Sequence, residues 1–463
     1  MSATTTTSST TSSTSTAKGP GRPIGAAPAT ALVIANMVGT GVFTTTGILL
    51  PELGSPLAVL AVWAVGGVIA LAGAAVYAEL GTMMPHAGGE YVYLKRAFHP
   101  GAGFLAGWVS LLVGFAAPTA GGAIAFGRYL HAALPGVAPQ EATQALVVGL
   151  TAAHMASVRF GARLQTAVTG LVVTLIAVFV VGALVSGRGD IAHLTATVGP
   201  AAAGAAPRLT VGAFAVGLVY VGYAYTGWNS VAYVAGEVRD PGRTLPRALA
   251  LGTGGVTLLY LGLNAVFLWA APPAALAGQI EVAHVAARAL FGVRGAALLS
   301  CLVAIAVAGC VSAMLMAGPR ITVAMADDGV FFRALGRRGR HGAPTAAVAL
   351  QGAIAAVAAL AAAFDPILVY VGFTLNLTAG AAVVATFVLR HREPAAERPH
   401  RALGWPFSGL VFLALAGAMT VFAVRDRPRE SAAGLGTLAA GGAAYAIWHR
   451  RVRRPDGSRP SGS

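Results

Sequence analysis

Fourteen stretches of 17 or more residues in this 463-residue chain contain no Asp, Glu, Lys or Arg. Two are too polar or too rich in small residues to be apolar helices: 1–17 is almost all Ser and Thr, and 191–207 is dominated by Gly, Pro and Ala. The other twelve are 23–51, 53–78, 97–127, 142–158, 164–187, 209–236, 248–280, 295–319, 341–364, 366–389, 402–424 and 431–449. A helix that crosses a bilayer needs about 20 apolar residues, so these windows predict an all-α membrane protein with twelve transmembrane helices. Charged residues are only 10% of the chain, against about 25% in soluble domains. So few charges cannot cover a globular surface, which excludes a soluble enzyme.

The 31 Lys and Arg outnumber the 16 Asp and Glu. With the N-terminus inside, 23 of the basic residues fall on cytoplasmic segments and 8 on outside loops. That asymmetry places both termini in the cytoplasm of a multi-pass protein of the cell (inner, cytoplasmic) membrane. It also accounts for the basic excess without nucleic acid, since no soluble basic domain exists to bind it. Residues 1–23 and 450–463 read as cytoplasmic tails, the first of them low-complexity and disordered. The first tail has no charged segment leading into an apolar one, so it is not a signal peptide. Segment 274–292 carries a rough helical stripe and is expected to lie over the outer face.

Glycine-interrupted helices in matching places of two halves point to a transport site. The first window contains Asn36-Met37-Val38-Gly39-Thr40-Gly41, and the sixth contains Gly222-Tyr223-Ala224-Tyr225-Thr226-Gly227-Trp228-Asn229. Each sits near the middle of its span. The two spans are five helices apart, and an odd offset reverses direction across the membrane. Small residues also serve helix packing; the pairing at matching positions favours the site. At a break, one half-helix ends in carbonyls with about −0.5 charge and the next begins with N–H groups and about +0.5 charge. A zwitterionic amino acid carries the complementary groups on adjacent atoms. The acidic residues nearest the helix cores, Glu79, Glu237 and Asp365, sit at helix ends rather than mid-span, and a mid-span Asp costs about 2.5–3.5 kcal/mol unless it serves a purpose. A neutral substrate is therefore expected.

Four sets of residues resemble the amino acid–polyamine–organocation superfamily. They are Gly39-Thr40-Gly41-Val42-Phe43; Tyr77-Ala78-Glu79-Leu80-Gly81-Thr82 with Pro85 and Gly88-Gly89-Glu90-Tyr91; Tyr223 to Asn229 with Gly236-Glu237-Val238-Arg239-Asp240-Pro241; and Pro319-Arg320 with Asp328-Gly329. The Tyr-x-Gly-Trp-Asn run is similar to the L-type amino acid transporter branch. The resemblance implies a leucine-transporter-like fold: inverted five-helix repeats at 24–190 and 209–390, with the first and sixth helices broken, then two more helices at 402–449. It implies substrate carboxylate on the N–H groups of Gly39, Thr40 and Gly41, and amine on carbonyls of Met37, Tyr223 and Thr226. Tyr223 would cover the substrate from outside and, with Trp228, act as a gate. Trp228 and Asn229 would line or brace the pocket. Glu79, Glu90, Glu237, Asp240, Arg239 and Arg320 recur in family motifs. Glu79, Glu237 and Arg320 are candidates for an inner gate, with helix caps or solvated loop charges as the other reading; Asp240 favours a structural role.

Many relatives carry a lysine midway along the fifth helix; the matching position here is Val172, so coupling through that lysine is excluded. Sodium would need a hydroxyl such as Ser312, although a buried serine is more often bonded back to its own helix. Exchange or uncoupled facilitation is expected. Animal L-type relatives join a glycoprotein through an outside cysteine. Cys301 and Cys310 both lie in one apolar run, so no disulfide-linked ancillary subunit is expected.

Runs such as Gly101-Ala102-Gly103 and Gly434-Leu435-Gly436 mimic a dinucleotide fingerprint but follow no strand and lack the acidic residue about 20 positions on. No catalytic residues, metal or cofactor are expected. The sequence reads as a secondary transporter of neutral L-amino acids working by alternating access. The rival readings are a cationic amino acid or polyamine permease, with or without ion coupling, and more remotely a membrane-embedded enzyme or solute sensor.

Overall fold

The computed structural model describes residues 24–86, 88–156, 158–198, 209–337 and 344–452. The expected tail at 1–23 and most of that at 450–463 lie outside the described residues. Regular structure among the described residues is helical, apart from one isolated bridge between Ile24 and Val238. Fifteen helices are used below. They are α1 Ala26–Met37, α2 Gly41–Leu53, α3 Pro56–Met83, α4 Glu90–Ala97, α5 Pro100–Ala133, α6 Pro139–Ala156, α7 Val158–Ser186, α8 Val211–Ala224, α9 Ser230–Tyr233, α10 Pro241–Ala270, α11 Val282–Asp327, α12 Thr345–Ala361, α13 Phe364–Arg392, α14 Phe407–Asp426 and α15 Pro428–Val452.

All twelve apolar windows fall on helices. Six helices (α3, α5, α10, α11, α13 and α14) are long and apolar enough to cross a membrane alone, and α1 with α2 makes a seventh when the two halves, bent by 40°, are joined. The protein is thus a multi-pass, all-helical membrane protein. Its helices approach closely where glycine allows. A Cβ on Gly67 would lie 2.2 Å from Thr257, and one on Gly252 would lie 2.7 Å from Val33. These positions let α3 and α1 pack along α10, as small residues do between membrane helices.

Three local features depart from straight helices. In α5 the turns widen to a π-helix over Ser110–Ala116, just before Pro118, which has no N–H to give and crowds the carbonyl four residues back. In α11 a single residue, Gly292, takes φ 73° and bends the helix, a left-handed conformation that glycine adopts without a Cβ penalty. The segment 274–292 is therefore not one surface helix: it divides into a four-residue turn, Pro273–Leu276, and the start of α11. The third is α4, where the sequence offered no apolar window. Glu90 opens it and Lys95 and Arg96 close it, matching the helix dipole at both ends.

Helix α4 is fastened at that end of the bundle. Lys95 pairs with Asp328 at 3.0 Å and Arg96 with Glu393 at 2.6 Å. Burial pushes the Asp328 carboxyl up, but hydrogen bonds from Tyr91 and Lys95 outweigh it, and the group sits below its ordinary value. Nearby, Ile24 exchanges backbone hydrogen bonds with Glu237 and Arg239 at 3.1 and 2.8 Å. Asp240 takes φ 46° and its carbonyl accepts from the N–H groups of Arg243 and Thr244, the helix-start role expected of it.

Candidate functional site: two helix breaks over a cavity

Helix α1 stops at Met37 and α2 resumes at Gly41; α8 stops at Ala224 and α9 resumes at Ser230. Both expected interruptions are present, and they lie directly against each other. A Cβ on Gly41 would sit 2.4 Å from Ala224 Cβ and 2.5 Å from its Cα. A Cβ on Gly227, whose φ is 97°, would sit 2.5 Å from the Asn36 carbonyl oxygen. The start of the second half of each span thus packs on the end of the first half of the other. Gly39 approaches α11, where a Cβ would meet Cys310 Sγ at 2.8 Å.

A polar stripe on α10 supports this crossing. Thr253, Thr257, Tyr260 and Asn264 are buried along one helical face. The Tyr260 hydroxyl lies against the Met37 carbonyl and, at 3.1 Å, the Ala224 carbonyl. One hydroxyl therefore serves the broken ends of both spans, whose carbonyls have lost their helical donors. Its ring packs with Trp63 and Tyr225 at centroid distances of 5.3 and 5.2 Å. Tyr260 was not singled out in the sequence, although the period of that stripe was visible there.

Tyr223 closes one side of the breaks. Its hydroxyl is 3.0 Å from Thr40 Oγ1, and both residues are buried. It rests on α5, where a Cβ at Gly121 would be 3.1 Å from the Tyr223 oxygen. Gly122 in turn faces Val311 and Thr40. At these two glycines the small residues of α5 serve close approach. The Tyr223 carbonyl accepts from the Thr226 N–H at 3.0 Å and from Thr226 Oγ1 at 2.7 Å. The carbonyls of Met37 and Tyr223, expected at an amine site, thus already accept hydrogen bonds within the protein.

The breaks adjoin a cavity of about 240 Å³, whose lining also takes in Leu218 and Gly222 of α8. Asn36, Thr226, Gly227 and Asn229 line it, with Ser110 and Phe115 of α5, Asn376 of α13, Glu237 and Arg320. The latter two are exposed and sit at the end of the bundle where α1 begins. Trp228 lines the cavity while its ring packs on Tyr77 at 4.7 Å and Phe412 at 6.4 Å. It packs against α3 and α14.

Four expectations need correction. First, Glu79, Glu237 and Arg320 do not form one network. Glu79 is buried and takes Arg390 Nε at 2.9 Å and Nη2 at 2.5 Å, Arg398 at 3.3 Å, and the Ala402 N–H at 2.8 Å. These partners consume both of its oxygens. Second, Ser312 does not bond back to its own helix: its hydroxyl meets His154 Nε2 of α6 at 2.8 Å. Cys310 faces Gly39 and Ser312 lies two residues on, about 200° around the helix, so Ser312 points away from the first break. Third, Asn229 lines the cavity as expected, but its Nδ2 is already engaged, donating to Glu90 Oε1 at 2.5 Å. Fourth, the site does have an ionisable neighbour. Glu90 lines the cavity, only 5% exposed, held between Tyr77 of α3 and Asn229 of the second break.

The comparisons agree with this architecture. The chain is 29% identical over 431 residues to the large neutral amino acids transporter small subunit 2 of Rattus norvegicus, covering 91% of this chain and 80% of that one. It is 29% identical over 421 residues to the Asc-type amino acid transporter 1 of Mus musculus, covering 89% and 78%. It is 28% identical over 410 residues to the serine/threonine exchanger SteT of Bacillus subtilis (strain 168), covering 86% and 90%. The amino acid permease family model matches residues 24–433. A match of that extent, on a helical bundle whose two broken spans cross above a cavity, means that the chain belongs to the amino acid permease family.

Proposed function

We propose that this permease is a secondary transporter that moves neutral L-amino acids across the cell membrane by alternating access, as an exchanger or facilitator. The observation that carries the reading is the pair of helix breaks packed against each other at the head of the cavity. In this reading the bundle crosses the membrane twelve times with both termini in the cytoplasm. Residues 24–190 and 209–390 are the inverted repeats, and 402–449 the two added helices. The substrate carboxylate rests on the N–H groups of Gly39, Thr40 and Gly41, at the start of α2, where the dipole favours an anion. The amine meets the remaining lone pairs of the Met37, Tyr223 and Thr226 carbonyls. Tyr223 and Thr40 hold the outer side shut, while the cavity leads toward Glu237 and Arg320. This corresponds to a conformation facing the cytoplasm.

The relatives support the substrate class: two are named for amino acid transport, one of them for large neutral amino acids, and a third for serine/threonine exchange. Glu90 favours a second reading, a cationic amino acid or polyamine permease. Its Oε1 is occupied by Tyr77 and Asn229 and the side chain is covered, which leaves the neutral class preferred. Proteoliposomes preloaded with unlabelled amino acid separate the two. Saturable, stereoselective uptake of labelled leucine, alanine or serine, stimulated by internal substrate, is expected. Competition by putrescine or ornithine but not by leucine or alanine would replace the neutral reading.

Tyr260→Phe tests the shared hydroxyl. The ring packing survives, but the Met37 and Ala224 carbonyls lose their donor, a change worth about 1–3 kcal/mol for a buried group. Exchange should fall roughly tenfold or more at unchanged protein yield. Wild-type exchange by the variant would remove Tyr260 from the site.

A further inference from the structure

We propose that Glu90 is a proton-exchange site on the cavity wall, coupled through Asn229 to the second helix break. The inference rests on the transporter reading and goes beyond it, since nothing above assigns an ion to the protein. Glu90 Oε1 accepts from Tyr77 Oη at 2.9 Å and from Asn229 Nδ2 at 2.5 Å. Its Oε2 is buried and receives no well-aligned hydrogen bond, with the Tyr233 hydroxyl the nearest further donor, and the buried Tyr93 hydroxyl has no partner. The groups that face the carboxylate are neutral: Tyr77 of α3, Tyr93 of α4, Tyr233 of α9, whose hydroxyl also reaches it, and Asn229 of the break. Glu237 and Arg320 share the cavity but form no ion pair with Glu90, and Lys95 and Arg96 of its own helix are paired with Asp328 and Glu393.

A buried carboxylate with no cation in reach among the described residues is costly, and one way to relieve it is to take up a proton. A proton on Oε2 leaves both bonds to Oε1 in place. When the cavity fills with water, the Oε2–H bond breaks, the proton passes to water, and the electron pair stays on the carboxylate. When the cavity closes and dries, the reverse step restores the neutral acid. The ionised form strengthens the bond from Asn229, since hydrogen bonds to charged acceptors are roughly twice as strong as neutral ones. Protonation and the position of the break therefore bias each other.

The test is exchange of a labelled neutral amino acid in proteoliposomes as the pH is varied on the cavity side, with a pH-sensitive dye in the lumen. Wild-type rates should change by up to about tenfold per pH unit, the limit for one titrating proton, and the dye should respond to substrate. Glu90→Gln keeps an acceptor for Tyr77 and Asn229 but cannot ionise. It should lose the pH slope, whatever its absolute rate. Glu90→Asp should keep a slope. A Glu90→Gln variant with the wild-type slope overturns the proposal, and so does a wild-type protein whose exchange is independent of pH. If Glu90→Gln does not fold, the wild-type dye trace decides, and a flat trace during exchange overturns the proposal. Absence of any amino acid uptake by the wild type, at every pH, would instead count against the transporter reading itself.

Discussion

Gly41→Val is expected to bring amino acid exchange to background while the protein still inserts and purifies as a folded species. The Cβ alone would lie 2.5 Å from the Ala224 backbone and 2.4 Å from its side chain. Neither neighbour is the end of a flexible side chain, so relief requires the two spans to separate at their breaks. Overpacking of a tight interface costs about 1–3 kcal/mol. Here that cost falls on the geometry that presents the N–H groups of α2, and up to about 3 kcal/mol corresponds to roughly a hundredfold loss. Gly41→Ala should be impaired to a lesser degree. Gly255→Ala and Gly262→Ala, where a Cβ on α10 meets open space, should exchange as the wild type does. Uptake and thermal stability measured on the same preparations check this. Near-normal uptake by Gly41→Val would mean that the breaks need not stay in contact during transport.

Gly41 was legible in the sequence because a break in a membrane helix leaves a local mark. Glycines bracket Thr40 in the first window and space the second break at Gly222 and Gly227, and a polar residue interrupts each apolar run. The crossing of those breaks was legible only through the inverted offset of the two spans. The partners of Glu79 were not legible. Arg390 and Arg398 lie 311 and 319 residues away along the chain, and several acidic residues stand near the same membrane face, so no local pattern selects the pairing. Glu90 was legible only as one of the cytoplasmic motif charges, an inner-gate group or a cap; its place on the cavity wall was not, because its segment is too short and polar to read as a span. Tyr260 stands between these cases, since its polar stripe repeats with a helical period but tyrosine serves equally well in aromatic packing. Ser312 was read from residue type alone, and the angle between Cys310 and Ser312 around α11 decides against it.

Glu79→Ala is the substitution expected to cost the most stability outside the breaks. Both carboxylate oxygens are engaged, and the side chains of Glu79 and Arg398 are 2% and 7% exposed. Removing the acid leaves Arg398 buried without a counter-ion, strips Arg390 of two hydrogen bonds, and frees the Ala402 N–H. Breaking a buried pair from one side costs about 3–5 kcal/mol. The loss is local to the junction of α3, α13 and the segment leading to α14, where Arg390 also stacks on Trp405 at 4.2 Å. The thermal unfolding midpoint of the purified variant in detergent should fall by roughly 3–10 °C. Glu79→Gln keeps an acceptor oxygen and should fall by less. Asp328→Asn is the comparison that isolates burial. It breaks the Lys95 pair, whose side chains are 45% and 41% exposed, and an exposed ion pair contributes about 0–1 kcal/mol. If Glu79→Ala and Asp328→Asn unfold at the same temperature, the Glu79 junction is not a structural anchor. Its three partners would then have to be satisfied by water in the variant, which would make this junction an accessible surface able to open during the transport cycle.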